Sequence, residues 1–442
     1  GRKHPKEADV FLHIAMKVAK NCRYVEPQFT LRFDKDTSEE IWDEALDALG
    51  AGATYPTLYN DDVNVPAVMY GMRVDEKAAE QYVPFGCTEF VIQGQSTGTP
   101  NICINLLKLL TIYMNDGIDP IDGKRKSGPV PLKKLEEYQT FEEFYDGYKA
   151  LLDYYLDLSV KAQYHSYEVM NQHVSFLFTS LLTDDCIARG KALLDGGVRY
   201  LGGTNETYGN INTSDSLWVI RDLVFNQKKY TLRQLNDAML ANFNGYEALR
   251  KDCLNCDKYG NDLETADTMA NDLYEFVAKG VRDRGIAIGM QYFLIVISNN
   301  QLNTEWGNRT AASPDGRLSC MYMNPANNPQ GGANKSGPTA MLNSLAKFDA
   351  KYHGGSVQNI KFSPSMFNEN RAVIKSLFKT YFAKGGCHLM VTVVDKGVLE
   401  DAVEHPENYP DLIVRVSGFS AVFVDLSPNI QQELLSRVLY DK

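Results

Sequence analysis

The chain has 442 residues, of which 44% are apolar and 23% charged, and its net charge at neutral pH is −11. This composition is typical of a folded globular protein and excludes disordered, collagen-like and coiled-coil chains. The acidic balance disfavours non-specific binding to nucleic acid, because phosphate groups carry the same sign of charge. No apolar run approaches the ~20 residues that span a bilayer. No apolar segment follows the basic N-terminus, so no signal peptide is indicated. With only eight cysteines, we expect a cytoplasmic protein without a disulfide framework.

Helical periodicity and strand-like runs alternate along the chain. Helices are predicted at residues 7–20, 101–114, 141–172, 231–243, 263–280, 367–382 and 428–438. Thr37 and Glu40 form a capping box that begins one more helix, which Gly50 ends, and Thr231 with Gln234 is a second box. Strands are predicted at 27–33, 291–298, 356–362, 388–394 and 412–416. Strands separated by helices indicate an α/β protein with parallel strands.

Residues 299–340 do not fit this alternation. They are rich in Asn, Gly, Pro and Ser and show little periodicity. An irregular segment of this length inside a folded chain is usually functional or packed against a partner.

The segment 85–90 reads Phe-Gly-Cys-Thr-Glu-Phe. In extended backbone Cys87 and Glu89 would point to the same side, which places a thiol beside a carboxylate. Gly86 would allow the close backbone approach that a reactive loop needs. A buried structural cysteine with a solvated Glu89 is the alternative that these residues alone leave open.

The segment 415–421 reads Arg-Val-Ser-Gly-Phe-Ser-Ala and lies between two apolar runs. Taken alone, it indicates a strand, a turn at Gly418 and a second strand.

Two other motifs could carry unrelated chemistry. Residues 94–98 fit the G-x-S-x-G pattern of a serine hydrolase, with Ser96 as nucleophile and Asp395 and His405 following in the required order. Pro100 comes where that pattern needs a continuing helix, which argues against it. Cys253 and Cys256 form half of a zinc site with no second half at suitable spacing, so we expect no metal.

Considered together, the segments around Cys87 and Gly418 resemble the two signatures of the glycyl radical enzymes. Further stretches resemble the same family in the same order: 310–317, 336–344, 361–364, 385–395 and 422–426. The resemblance implies that Gly418 stores a radical, that Cys87 relays it as a thiyl, and that Glu89 is the general base. It implies no bound cofactor, because the radical is installed on Gly418 by a separate radical S-adenosylmethionine activase.

The resemblance also implies a fold: half of a ten-stranded α/β barrel with the Cys loop inside it, followed by a C-terminal glycyl radical domain. Residues 1–300 would form the barrel part and residues 301–442 the radical domain. Members of the family are much longer, so we expect a truncated or split enzyme. A partner polypeptide would then supply the N-terminal half, and an oligomer is expected.

The expected activity is that of a glycyl radical lyase that eliminates a group, such as water, from a small hydroxylated substrate. The Cys-x-Glu order is unlike the adjacent cysteines of pyruvate formate-lyases. Thr88 and Phe90 depart from the Val and Pro of the dehydratase-like loop, which leaves the substrate open. A decarboxylase or C–C lyase is the alternative within the family. A serine hydrolase and a silent structural subunit are the alternatives outside it.

Overall fold

The structure is a computed structural model that describes residues 6–98, 100–297 and 301–441. Its helices are α1 (Lys6–Cys22), α2 (Glu39–Gly50), α3 (Asp61–Met72), α4 (Glu76–Ala79), α5 (Leu106–Met114), α6 (Phe141–His173), α7 (Leu177–Leu181), α8 (Cys186–Arg189), α9 (Asn210–Val219), α10 (Leu232–Leu240), α11 (Glu247–Asn255), α12 (Glu264–Ala287), α13 (Leu302–Gly307), α14 (Gly337–Leu345), α15 (Pro364–Glu369), α16 (Arg371–Ala383), α17 (Lys396–Glu404) and α18 (Pro428–Ser436). Its strands are β1 (Thr30–Phe33), β2 (Thr57–Asn60), β3 (Tyr82–Phe85), β4 (Glu89–Ile92), β5 (Pro100–Asn105), β6 (Gly202–Tyr208), β7 (Tyr292–Ile297), β8 (His353–Ser356), β9 (Asn359–Phe362), β10 (His388–Val393), β11 (Ile413–Arg415), β12 (Ser420–Val422) and β13 (Leu439–Tyr440). None of the helices in these three ranges is long and apolar enough to cross a membrane.

Two sheets organise the chain. One has the order β5-β6-β7-β8 and is parallel throughout. The other has the order β1-β2-β10-β9-β13, and only its β2–β10 pair is antiparallel. The predicted α/β class with parallel strands is therefore confirmed, and the half-barrel stays a prediction. The division at residue 300 also stays a prediction, and the second sheet takes strands from both sides of it.

Two antiparallel hairpins complete the set of strands. β3 and β4 form the hairpin that carries Cys87 at its tip, and β11 and β12 form the hairpin that carries Gly418. The first hairpin packs through Tyr82 and Phe90 onto a buried apolar cluster that includes Leu294 of β7. The first hairpin is therefore held at its base, which leaves its tip available to contact other parts of the chain.

Most predicted elements are present, and several differ in their bounds. The helix predicted at 101–114 begins only at Leu106, because residues 100–105 pair with β6 as a strand. Strand 356–362 is broken at Val357 and Gln358, and helix 367–382 is two helices that meet at Asn370. Ser298, at the end of strand 291–298, and residues 299 and 300 lie outside the described residues.

One capping box is wrong and the other is confirmed. Ser38, not Thr37, caps α2, because its side chain accepts a hydrogen bond from the Ile41 N–H. The Thr37 hydroxyl instead accepts from the Asp34 N–H within the preceding turn. Thr231 and Gln234 form the predicted box at α10.

The irregular region after β7 is held by buried polar contacts. The Arg317 guanidinium donates to the carbonyls of Ala311 and Gly307, each at 2.8 Å, and Asn212 donates to the Asp315 carboxylate at 2.6 Å. These contacts satisfy the backbone groups that a regular element would otherwise pair. The described part of this segment is therefore packed against its own chain.

Candidate active site

The glycine loop is a tight connection between β11 and β12. Arg415 and Ser420 pair across the two strands, so the loop consists of residues 416–419. The N–H groups of Val416 and Ser417 donate to the carbonyl of Phe419 at 3.1 and 3.3 Å. Gly418 is buried, and the Gln28 side chain donates to its carbonyl at 3.1 Å. Contacts from inside and outside the loop thus fix the backbone on both sides of the Gly418 α-carbon.

The cysteine loop is equally constrained. Phe85 and Glu89 pair at the ends of β3 and β4, and the Thr88 N–H donates to the Phe85 carbonyl at 3.1 Å. Gly86 has φ +55°, which glycine adopts at no cost. Thr88 has φ +145°, a conformation that is strained for a β-branched residue. Strain of this kind persists only where the surrounding structure enforces it, and Thr88 lies next to Cys87.

The two loops touch at Cys87 and Gly418. A Cβ atom added to Gly418 would overlap the Cα and Sγ atoms of Cys87 and lie 2.5 Å from its Cβ. No residue with a side chain fits there without displacing Cys87. One α-hydrogen of Gly418 occupies the direction of that Cβ and therefore points at the cysteine. The structure brings together the two residues that the sequence singled out from opposite ends of the chain.

Glu89 lies at the end of the same loop, two residues after Cys87. Its side chain is buried and turns back over the loop, where Oε2 accepts a hydrogen bond from the Thr88 N–H at 2.9 Å. Burial raises the pKa of this carboxyl to about 7, although backbone N–H groups oppose the rise and the charge of Glu206 adds to it. A carboxyl with a pKa near neutrality can accept a proton at one step and return it at another.

The surroundings keep Cys87 in its thiol form. Burial raises the pKa of Cys87 well above its ordinary value, the charges of Glu89 and Glu206 raise it further, and Arg415 opposes them. A cysteine nucleophile needs the reverse, because the thiolate is its reactive form. The environment of Cys87 therefore suits transfer of a hydrogen atom from S–H and is unsuited to nucleophilic attack.

Arg415 lies beneath both loops. It is fully buried; its Nε contacts the Met390 sulfur at 3.3 Å, and Nη1 donates to the Ser420 hydroxyl at 3.3 Å. Its guanidinium lies over the Tyr55 ring, 5.3 Å from the ring centre. The Ser420 hydroxyl in turn donates to Thr54 at 2.9 Å. This network ties the end of β11 and the start of β12 to the segment before β2.

The serine hydrolase motif is not assembled. The Ser96 hydroxyl accepts a hydrogen bond from the Ile92 N–H within its own turn. Asp395 caps α17 through the Gly397 and Val398 N–H groups, and the side chain of His405 is exposed after the end of that helix. Each of the three residues has a local structural role, so this alternative loses its support.

The cysteine pair is equally local. Cys253 is buried, and Cys256 donates to the Asp252 carbonyl at 3.4 Å. Within the described ranges no group of three or more His, Cys, Asp or Glu side chains could hold a metal ion.

Three residues of the site were not found from the sequence. Gln28 holds the Gly418 carbonyl, Gly355 of β8 leaves room for the backbone of Thr88, and the carboxylate of Glu206 of β6 acts on Cys87 and Glu89. The Gly354–Gly355 pair was the one available indication, since adjacent glycines in a strand often mark a close approach of another backbone.

Comparison with known proteins identifies the family to which the chain belongs. Residues 1–302 match the pyruvate formate lyase-like family, and residues 323–424 match the glycine radical domain. The chain belongs to this family of glycyl radical enzymes. Both the Cys87 loop and the Gly418 loop lie within the matched residues.

Three similar proteins show how closely the chain resembles known members and how much of each it covers. The trans-4-hydroxy-L-proline dehydratase of Clostridioides difficile is 30% identical over 428 residues, which cover 96% of this chain and 54% of the relative. The 4-hydroxyphenylacetate decarboxylase glycyl radical subunit of Clostridioides difficile is 26% identical and is covered to 52%. The glycerol-bound B12-independent glycerol dehydratase of Clostridium butyricum superposes with a TM-score of 0.91 at 29% identity, over 97% of this chain and 55% of that one. The chain thus spans about half the length of the relatives it matches.

Proposed function

We propose that this chain is the catalytic part of a glycyl radical lyase that removes a group from a small hydroxylated substrate. The observation that carries the proposal is the direct contact between Gly418 and Cys87, with Glu89 on the same loop. Gly418 would store the radical, Cys87 would relay it, and Glu89 would be the base. The chain binds no further cofactor in this proposal.

The reaction begins with hydrogen transfer. The Cys87 thiol gives its hydrogen atom to the Gly418 radical, and the resulting thiyl takes a hydrogen atom from the substrate carbon that carries the hydroxyl. Glu89 accepts the hydroxyl proton, which the raised pKa of its carboxyl allows near neutral pH.

The electron-rich radical expels the leaving group from the neighbouring carbon with its electron pair, and the proton held by Glu89 neutralises that group. The product radical then takes the hydrogen atom back from the Cys87 thiol. The net change converts HO–C–C–X into a carbonyl compound and HX.

Elimination is favoured over the alternative by the relatives. Dehydratases are among the similar curated proteins and among the similar solved structures, whereas the decarboxylase is less similar to this chain than the hydroxyproline dehydratase is. Cys87 and Glu89 also suit a hydroxylated substrate, because elimination needs a base beside the relay. A decarboxylase or C–C lyase remains the second candidate within the family.

The proposal includes two protein partners. A radical S-adenosylmethionine activase would install the radical on Gly418. A further polypeptide would complete the barrel, because β5 and β1 each pair on one side only in the described part of the chain, and exposed strand edges favour pairing with another strand. Residues 1–300 would contribute to that barrel and residues 301–442 to the radical domain, in an oligomer. All eight cysteines are free, which fits a reducing and anaerobic cytoplasm.

The test uses the sensitivity of a carbon radical to dioxygen. After anaerobic activation, electron paramagnetic resonance should show a doublet, and exposure to air should cut the chain at Gly418. Intact-mass spectrometry should then find a large piece ending near Ser417 and a small piece beginning near Phe419. Gly418→Ala should abolish both the doublet and the cut, because the added methyl group overlaps Cys87.

Gly397→Ala is the matched control, since this exposed glycine has no positive φ and the Cβ that it adds meets only the flexible Asp395 side chain, at 3.1 Å. Cleavage at another glycine, or an intact chain despite a verified radical, would remove Gly418 from the mechanism.

A further inference from the structure

Glu206 is a second carboxylate on the side of the Cys87 hairpin. Asn205, its neighbour on β6, donates to the Ser159 hydroxyl of the outer helix α6 at 2.9 Å. Because side chains alternate along a strand, Thr204 and Glu206 face away from that helix. The Thr204 hydroxyl accordingly bonds to the Gly98 carbonyl, in the segment that follows the hairpin.

The carboxylate of Glu206 is buried, and the described residues that bond to it do so through one oxygen. Glu206 is only 5% exposed. Oε2 accepts hydrogen bonds from the Tyr208 hydroxyl at 2.5 Å and from the Cys103 thiol at 3.5 Å. Oε1 accepts none from the described residues, and no Lys, Arg or His among them pairs with Glu206. A buried carboxylate without a cationic partner is costly unless a ligand supplies one.

Aromatic rings lie beside this carboxylate. The Tyr208 ring, whose hydroxyl bonds to Glu206, lies 5.3 Å from the Trp306 ring. Cys103, Leu107 and Met323 pack around the two rings. A carboxylate near aromatic rings is a combination that binds an organic ammonium group, through a charge-assisted hydrogen bond and cation–π attraction.

The basic side chains nearby are directed to other partners. Lys108, Lys126 and Arg309 line a cavity of about 260 Å³ that also borders Cys103 and Trp306. Both lysines pair with the buried Asp119, at 2.8 and 2.6 Å. Of these three, Arg309 is exposed and has no ion pair among the described residues, so it could attract an anionic group to the cavity instead.

Glu206 also acts electrostatically on the reaction centre. Burial is the largest cause of the raised pKa of Cys87 and of Glu89, and the charge of Glu206 raises both further. Glu206 is therefore close enough to the relay and to the base for its charge to act on both.

We propose that Glu206, with Tyr208 and Trp306, binds an ammonium group of the substrate, which makes the substrate a small hydroxylated amine. The inference rests on the proposed function, because it assigns a substrate class to the same site. Glu206 thereby selects the substrate through its ammonium group, and Glu89 accepts the proton of the substrate hydroxyl.

Three probes of one carbon skeleton test the assignment: 1-amino-2-propanol, propane-1,2-diol and lactate, which carry an ammonium, a hydroxyl and a carboxylate beside the same hydroxylated carbon. Isothermal titration into the purified, unactivated protein should show the amine binding at least about tenfold more tightly than the diol. Glu206→Gln should weaken amine binding by about 10- to 100-fold and change diol binding by less than about threefold.

Glu305→Gln is the matched control. It removes an exposed carboxylate one residue from Trp306 and should leave amine binding unchanged. If Glu206→Gln loses its native circular dichroism, Trp306→Leu replaces it and should weaken amine binding about three- to tenfold without affecting the diol.

Equal binding of amine and diol, tighter binding of lactate, absence of binding by all three, or an unaffected Glu206→Gln would each overturn the assignment. None of these results depends on a radical. The doublet and the cut at Gly418 therefore decide the proposed function separately.

Discussion

Replacing Glu89 by Gln should raise stability while it removes activity, because both effects depend on the burial of one carboxyl. Burial raises the pKa of Glu89 from an ordinary 4.5 to about 7. The pKa of Glu89 is higher in the folded chain than in the unfolded chain. The contribution of this carboxyl to folding stability is therefore complete below about pH 4.5 and is lost as the pH rises through about 7. The gap between the two pKa values corresponds to about 3 kcal/mol. Gln cannot ionise, so its advantage over Glu should grow by about 3 kcal/mol between pH 4.5 and pH 8.

The activity of the unaltered protein should follow the same carboxyl. If Glu89 is the base, about one tenth of the molecules hold it ionised at pH 6 and about nine tenths at pH 8. The value of kcat/KM should therefore rise about tenfold over that interval. Glu89→Gln should lower turnover by about 10²- to 10⁴-fold at every pH.

Urea titrations of both proteins over pH 4.5–8.5 measure the stability difference, and Glu305→Gln is the control for losing one negative charge at the surface. That control shows how much of any difference comes from losing one surface charge. A pH-independent difference between Glu89→Gln and the unaltered protein, or an advantage that shrinks as the pH rises, would refute the assigned environment of Glu89. Near-normal turnover of Glu89→Gln would refute its role as the base.

Two further substitutions test the contacts around the relay. Cys87→Ser should leave Gly418 activatable, with its doublet intact. Its turnover should fall below about 0.1% of that of the unaltered protein, because an alcohol O–H bond is too strong to pass hydrogen. Greater residual turnover would argue against Cys87 as the relay. Gly355→Ala should lower stability by about 1–3 kcal/mol and reduce turnover, because its methyl group would collide with the Thr88 backbone and Gly355 has φ +143°. Unchanged thermal unfolding of Gly355→Ala would show that the hairpin does not need this close approach.

The candidate site was largely predictable because its chemistry is encoded in two short segments. The residues around Cys87 form one contiguous segment, and those around Gly418 form another. Their resemblance to the family signatures is therefore visible in the sequence without the fold. The contact between Cys87 and Gly418 could not be predicted in the same way, because it depends on the relative placement of two hairpins that are far apart in the chain. The sequence gives no distance between them, and only the folded chain shows that a Cβ at Gly418 would overlap Cys87.

The parts that were missed have a common physical cause. β6 reads Gly-Gly-Thr-Asn-Glu-Thr-Tyr and is buried along its whole length, so neither alternation nor an apolar run identifies it. The misassigned start of α5 has the same origin, because residues 100–105 are a strand only through pairing with β6. Buried polar side chains are satisfied by tertiary partners, such as Ser159 for Asn205, and these partners cannot be inferred from local sequence.

The placement of charge around Cys87 connects these observations to the chemistry. Hydrogen-atom transfer needs an uncharged S–H group, and a thiolate there would end the relay. Burial together with the charges of Glu89 and Glu206 opposes ionisation of Cys87 more strongly than Arg415 promotes it. The same burial gives the Glu89 carboxyl a pKa of about 7. Near neutral pH this carboxyl can therefore accept a proton, while the Cys87 thiol stays protonated. One weakly solvated space can therefore hold a hydrogen-atom relay and a proton acceptor two positions apart on one loop, without proton transfer from the first to the second.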